Sequence, residues 1–304
     1  MKAYRLNDWG KPLDLEDVPQ PEPNENEALV HIRAASINPF DAAIQAGYLQ
    51  GMAKIPMTLG TDFAGDVVAV GKNIMHVKPG DAVFGLSPLG AGAFAEYIIV
   101  KAHEVTKKPK SLDYISSAAV PLPAMAAWVS LFELLQVKSG DRLLIHGAAG
   151  NVGGIALQLA KDEGAFVYGV DIPEKQEHIH KLGVDQFISS HEQFESIVKD
   201  VDAVLDLVGG ELMERSYNVL KPGGRYVTSL LSDVPQDEPL RRGIRSMGLA
   251  AWPNAETLGK IAKRIDSGIV QVFVNRTFPL EEVNTAMAYR MQTKLPGKVV
   301  LTIQ

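Results

Sequence analysis

The chain contains no cysteine. That single absence excludes a disulfide framework, a thiol nucleophile, an iron–sulfur cluster and every thiolate-held zinc site. No uninterrupted apolar run reaches the ~20 residues that a membrane-spanning helix needs. The most apolar long stretch, Ala118 to Val137, is broken by Pro121, Pro123 and Glu133. The first residues, Met1 to Trp9, carry charges where a signal peptide would need a continuous apolar core, and they read as a first β-strand. Neither charge sign forms a long run. With 36 acidic and 30 basic residues the net charge is −6, so the electrostatic footprint of a nucleic-acid or anionic-membrane binder is missing. Fixed-period repeats and low-complexity tracts are also lacking.

What is present is a globular composition, 46% hydrophobic and 22% charged over 304 residues. At ~100–200 residues per domain, that length suits two hydrophobic units. From residue 1 to about 105, short apolar runs are cut by Gly, Pro and Asn: Ala28 to Ile32, Asp66 to Val70, Ala82 to Phe84 and Tyr97 to Val100. This half predicts strands. After about residue 115 the rhythm changes. Strands are expected at Arg142–His146, Phe166–Val170, Asp202–Asp206 and Gly224–Thr228, alternating with helices at Val152–Glu163, Glu174–Leu182 and Glu211–Leu220. Such alternation means βαβ units and a parallel sheet covered on both faces. A last strand, Val299–Ile303, is placed to return to the first unit. The expected division is therefore residues 1–115, completed by 271–304, and a second domain over 116–270.

The most informative stretch is Gly147-Ala148-Ala149-Gly150-Asn151-Val152-Gly153, between an expected strand and an expected helix. Glycines there let a backbone approach a pyrophosphate, whose charge the unpaired N–H groups of a helix N-terminus stabilise. The spacing is G-x-x-G-x-x-G rather than G-x-G-x-x-G, and a tight turn of any α/β domain is the plain alternative. Asp171 closes the next strand roughly 20 residues on, where an acidic side chain accepts hydrogen bonds from an adenosine ribose. A carboxylate there favours NADH over NADPH, unless Lys175, Lys181 or Arg225 reaches the extra phosphate. Asp171 also precedes Ile172-Pro173 and suits a helix cap; the two roles are compatible.

Taken in order, these segments resemble the medium-chain dehydrogenase/reductase superfamily, and within it the zinc-free quinone oxidoreductases, the zeta-crystallin-like family. The resemblance rests on Ser36-Ile-Asn38-Pro-Phe-Asp41, Leu59-Gly-Thr-Asp62-Phe-Ala-Gly65, Val77-Lys-Pro-Gly-Asp81, the Gly147–Gly153 loop, Asp206-Leu-Val-Gly-Gly210, Leu220-Lys-Pro-Gly-Gly224 and Gly297-Lys-Val-Val-Leu301. It implies a GroES-like β-rich catalytic domain plus a Rossmann cofactor domain with a doubly wound parallel sheet, and a nicotinamide held between them. It also implies cofactor contacts from Val208, Gly209 and Lys298. Zinc members of the superfamily hold their metal with a Cys and a His-Glu pair, and the corresponding positions are similar to Asn38 and Thr61-Asp62 here. The seven histidines, His31, His76, His103, His146, His178, His180 and His191, form no ligand-spaced cluster. No metal is expected.

A metal-free site suits acceptors that take a hydride at carbon, namely quinones and α,β-unsaturated carbonyls, with hydrogen bonds stabilising the charge that develops on oxygen. Asn38 is the candidate donor, with Tyr48 as a second candidate that donates, stacks or merely packs. Asp206 reads as structural, ordering its loop through backbone N–H groups. Met52, Met57 and Trp252 either line an apolar pocket or fill the core. The expectation is a cytoplasmic, homodimeric NAD(P)H-dependent reductase without nucleic-acid or membrane partners. A cofactor-binding protein with a sensing or structural role stays open beside it. An S-adenosylmethionine-dependent methyltransferase is a third reading, in which the strand-rich half has no place.

Overall fold

The computed structural model describes residues 1–87, 92–230 and 242–304. The chain divides into two units, one formed by residues 1–122, 253–267 and 272–304, the other by residues 123–252 and 268–271.

The first unit opens with β1 (Lys2–Leu6), which pairs antiparallel with β2 (Asp14–Asp17) and β4 (Met57–Thr58). Its larger sheet is built on β3 (Glu27–Ile37), followed at once by the short helix α1 (Pro39–Gln45). β3 pairs antiparallel with β5 (Asp62–Val70) and with β7 (Tyr97–Lys101); β5 continues to β6 (Ala82–Leu86), and β6 to β8 (Val105–Lys107). Beneath these strands lies an aliphatic and aromatic core that includes Val30, Ile32, Phe63, Phe94 and Ile98. Burying each such side chain contributes about 1.5–3 kcal/mol.

The helices α2 (Tyr114–Ala118) and α3 (Pro121–Trp128) lead to the second unit, where β9 (Arg142–His146), β10 (Phe166–Asp171) and β12 (Val201–Asp206) are almost wholly buried. Strands buried on both faces read as continuous aliphatic runs, which is why Arg142-Leu-Leu-Ile-His146 and Val201-Asp-Ala-Val-Leu-Asp206 carry so few polar interruptions. With β11 (Gln186–Ser189), β13 (Leu220–Thr228) and β14 (Arg245–Gly248) they form one parallel sheet in the order β11-β10-β9-β12-β13-β14. Numbered within the unit, that is 3-2-1-4-5-6, the doubly wound order whose switch point lies between β9 and β12. The crossovers include α4 (Asn151–Asp162), α5 (Gln176–Lys181) and α6 (Leu212–Tyr217).

Two expectations need correction. The helix expected over Glu211–Leu220 ends at Tyr217, and Leu220 already belongs to β13. Pro222, Gly223 and Gly224 cannot extend a helix; the strand absorbs them where its pairing with β12 slips between Val201 and Ala203. Further on, α7 (Ala255–Asp266) lies in the first unit rather than in the 116–270 domain. Its apolar face of Leu258, Ile261 and Ile265 is buried, the helix packs against β8, and Asp266 accepts hydrogen bonds from the Ser111 N–H and hydroxyl, both at 2.9 Å. An amphipathic helix does not announce which unit it will cover. The chain then returns through β15 (Val274–Pro279), α8 (Val283–Gln292) and β16 (Lys298–Thr302); β16 pairs antiparallel with the end of β3. Among the described residues no helix is long and apolar enough to cross a membrane.

Candidate functional site

In the second unit the Gly147–Gly153 loop follows β9 at the carboxyl edge of the parallel sheet, beside the switch point. Its start is tied to β10: the N–H groups of Gly147 and Ala148 both donate to the Val170 carbonyl, at 2.9 and 3.2 Å. The Gly150 N–H then closes a turn on the Gly147 carbonyl at 3.0 Å, and Gly150 becomes the N-cap of α4. Asn151, Val152 and Gly153 occupy the first turn of that helix, whose N–H groups no carbonyl of the helix can accept. Gly153 is required sterically, since a Cβ there would lie 2.2 Å from the Gly147 oxygen. The neighbouring loop after β12 approaches from the other side of the switch point, and a Cβ on Gly147 would lie 3.3 Å from Val208 Cγ2.

That second loop is held by Asp206. Its Oδ1 accepts from the N–H groups of Val208 (2.9 Å) and Gly209 (2.8 Å), and its Oδ2 accepts from the Tyr226 hydroxyl at 2.6 Å. Burial, reinforced by the Asp206 charge, pushes the Tyr226 hydroxyl well above the ordinary tyrosine range, so it stays a donor. Gly209 has φ +76° and sits against Leu230, which fixes the turn that presents the half-exposed Val208.

Asp171 ends β10 and is nearly buried. Its Oδ2 accepts from the Ala149 N–H at 2.9 Å, while its Oδ1 accepts from the Ile172 N–H at 2.9 Å and lies 3.2 Å from Lys175 Nζ. The expected cap is corrected: Ile172, not Asp171, is the N-cap of the short turn Pro173–Lys175. A carboxylate offers about four acceptor positions, so one remains for a ribose hydroxyl. Of the three cations considered for an extra phosphate, Lys175 stands beside Asp171. Lys181 pairs with Glu177, and Arg225 is committed to Asp141 and to the carbonyls of Gln136 and Asp202. These features together fit a dinucleotide with its pyrophosphate on the loop.

His146, the last residue of β9, is fully buried beneath this loop. Its Nε2 meets Ser216 Oγ at 2.9 Å, its Nδ1 has no partner among the described residues, and its ring is edge-on to Phe194. Burial lowers its pKa to about 4. Since the folded value lies below the unfolded one, the neutral ring contributes stability that is complete above pH ~6.5 and is lost as pH falls through ~4. Denaturant titrations of wild type and His146→Asn at pH 7 and pH 4 are expected to show a pH-dependent loss about 3 kcal/mol smaller in the variant.

The first unit holds the second group of candidates. Asn38 follows β3 and is the N-cap of α1, and both it and Lys298, the first residue of β16, are buried. Asn38 Nδ2 donates to Asp62 Oδ2 at 2.9 Å, while Asn38 Oδ1 accepts from Lys298 Nζ at 2.5 Å. Asp62 Oδ2 also accepts from Ser36 Oγ (2.9 Å) and Lys298 Nζ (3.1 Å), and its Oδ1 accepts from the Leu122 N–H at 2.7 Å. Asp41 lies alongside, accepting from Thr61 Oγ1 at 2.6 Å and from the Asn38 N–H at 2.7 Å.

This cluster bears on the expectations for Asn38 and Lys298. Asn38 retains at most one free amide N–H, because its other groups are spent on Asp62 and Lys298. Lys298, expected to contact the cofactor, is buried and bonded to Asn38 and Asp62, for which it is an internal counterion. Tyr48, in the turn after α1, is 83% exposed, which speaks against the packing role. Asp41 and Thr61 acquire a prominence that the sequence reading did not give them. The available signal was an Asn-x-x-Asp spacing ahead of an apolar run, a capping pattern that buries its acid. The donors also do not fit zinc, since an amide and a hydroxyl replace softer ligands and an ammonium occupies the cluster. Among the described residues no group of three or more His, Cys, Asp or Glu is arranged to hold a metal.

Residues 24–110 match the alcohol dehydrogenase GroES-like domain, and residues 182–301 match the zinc-binding dehydrogenase family. The chain is 32% identical to the mouse (Mus musculus) protein NAD(P)H oxidoreductase RTN4IP1, mitochondrial, over 91% of this chain and 82% of that relative. The chain belongs to the medium-chain dehydrogenase/reductase superfamily, in its quinone oxidoreductase-like family. A solved quinone oxidoreductase from Coxiella burnetii is 31% identical with a TM-score of 0.88, covering 100% of this chain and 99% of that one. The CurK enoyl reductase is 26% identical with a TM-score of 0.87, again over 100% and 99%. Both domains expected from the sequence motifs, the GroES-like unit and the doubly wound cofactor unit, are therefore present.

Proposed function

We propose that the chain is an NAD(P)H-dependent oxidoreductase that reduces a quinone or an α,β-unsaturated carbonyl without zinc. The observation that carries the reading is the Gly147–Gly153 loop, which aims unpaired N–H groups at the switch point of a doubly wound sheet. The quinone oxidoreductase and enoyl reductase relatives support the acceptor class. A bound nicotinamide supplies a hydride, and activated acceptors take it at carbon without a Lewis acid. The Asn38–Asp62–Lys298 cluster supports the zinc-free form, because it satisfies internally the groups that a metal would need.

The same reading assigns NADH a slight advantage over NADPH. Asp171 opposes a second phosphate, and Lys175 offsets part of that charge from 3.2 Å. Replacing Asp171 by Ser removes the carboxylate and frees the ammonium. Parallel fluorescence titrations are expected to show the NADPH-to-NADH affinity ratio rising about tenfold or more in Asp171→Ser, roughly 1.4 kcal/mol. An unchanged ratio removes Asp171 from cofactor choice.

A further inference from the structure

Reduction of a quinone or activated alkene needs a proton as well as a hydride, and the reading above, on which this inference rests, supplies only the hydride. Two of the buried carboxylates of the first unit, Asp41 and Asp62, feel the same lysine, Lys298, which bonds only Asp62 of the two among the described residues. Asp62 takes the lysine ammonium together with donors from Ser36, Asn38 and Leu122. Asp41, fully buried, takes only the Thr61 hydroxyl and one backbone N–H among the described residues. Where two acids share a site and one captures the cation, the other holds a proton more readily.

The surroundings of Asp41 agree. Burial raises its pKa to about 6; Asp62 from β5 pushes the same way, while Thr61, the Asn38 N–H and Lys298 from β16 oppose. Arg290 of α8 lies one step further out, acting on Lys298. Asp41 and Thr61 also share a recess with Phe40, Ile44, Met57 and Ser87. It is half open, and its volume of about 10 Å³ is that of a single water-sized group. It takes a carbonyl oxygen but not the remainder of an acceptor, and the exposed Phe40 ring stands at its side.

We propose that Asp41 is the proton source of the reduction, passing its proton through the Thr61 hydroxyl to an acceptor oxygen seated in this recess. The hydride from NAD(P)H forms the new C–H bond, the acceptor π bond opens, and its electron pair moves to the oxygen. The Thr61 O–H bond breaks as the acceptor O–H bond forms, and the Asp41 proton moves onto the Thr61 oxygen. Asp41 is left as a carboxylate and regains its proton from water. The products are NAD(P)⁺ and an enol: that from an enone tautomerises to the saturated carbonyl, and that from a quinone, a hydroxydienone, moves one ring-carbon proton to its remaining carbonyl oxygen and becomes the hydroquinone. When Asp41 carries its proton the 2.6 Å bond runs from the Asp41 O–H to the Thr61 oxygen, which frees the Thr61 hydroxyl proton for an acceptor, and both residues line the recess.

The test is steady-state turnover of one quinone and one enone by wild type, Asp41→Asn, Thr61→Val and Thr61→Ser from about pH 5 to pH 8. Asp41→Asn and Thr61→Val are expected to lose about 10²–10⁴-fold in kcat with little change in KM, while Thr61→Ser recovers most of it. Wild-type kcat is expected to fall above pH ~6, and this slope to vanish in Asp41→Asn. A purely structural role would not produce the serine rescue or the altered pH profile. Carbon-13 NMR titration of the wild-type carboxyls needs no variant, and a midpoint near the about 6 given by its burial is expected for Asp41. A midpoint near the ordinary aspartate value, or Asp41→Asn turnover equal to wild type, overturns the proposal alone. Absence of turnover in the wild type overturns the reductase reading with it.

Discussion

Replacing Gly153 by Ala is expected to lower NADH affinity at least about a hundredfold, roughly 2.7 kcal/mol, in a protein that still folds. The added Cβ would meet the Gly147 oxygen at 2.2 Å and Ala148 Cα at 2.9 Å, both backbone atoms that cannot turn aside like a flexible side chain. The Gly147 carbonyl also receives the Gly150 N–H, so pushing it away opens the turn that aims the helix N-terminus. Overpacking of this kind costs about 1–3 kcal/mol of stability, which denaturant titration reads separately from affinity. Gly150→Ala makes the comparison. Its backbone is unstrained at φ −70°, and its Cβ would come no nearer than 3.2 Å to the Gly147 oxygen. Stability is expected to be nearly kept there, so any loss of affinity reports the approach of the pyrophosphate. Equal NADH affinity in Gly153→Ala and wild type would remove the loop from cofactor binding.

Lys298→Met is expected to destabilise the protein by about 3–5 kcal/mol, because Asp62 would be left charged, buried and without its cation. The two side chains are 2% and 0% exposed, so water cannot replace the lost partner. Lys298→Met combined with Asp62→Asn removes the orphaned charge and is expected to recover a large part of that loss, whereas additive single effects would deepen it. Denaturant midpoints of the two variants decide the matter, with a Lys298→Met protein as stable as wild type refuting the buried pair. NADH affinity of the folded Lys298→Met protein is expected to be unchanged, since the ammonium serves Asn38 and Asp62.

The second unit was legible where local pattern and tertiary role coincide. Aliphatic strands such as Leu143-Leu-Ile145 are buried on both faces, so composition alone marks them, and Gly153 advertises a close backbone approach. Lys221-Pro-Gly-Gly224 misled because a bulged strand and a helix end use the same residues. The destination of Ala255–Asp266 was not legible at all, since an amphipathic face specifies burial but not the surface that buries it. The polar cluster fell between these cases. Its members lie at positions 36, 38, 41, 61, 62 and 298, and only the return of β16 alongside β3 brings Lys298 to Asn38 and Asp62. A lysine read as a cofactor ligand is, in three dimensions, the counterion of a buried acid. Asp206 could be read correctly because its partners, the Val208 and Gly209 N–H groups, lie two and three residues away.

The measurement that tests the account most directly is oxidation of NADH and of NADPH by the purified protein, with one quinone and one enone as acceptors and a metal chelator present throughout. Turnover with at least one acceptor, unaffected by the chelator and with a modest preference for NADH, is the expected result. Dinucleotide binding without turnover of either acceptor, or turnover that the chelator abolishes and zinc restores, would contradict it.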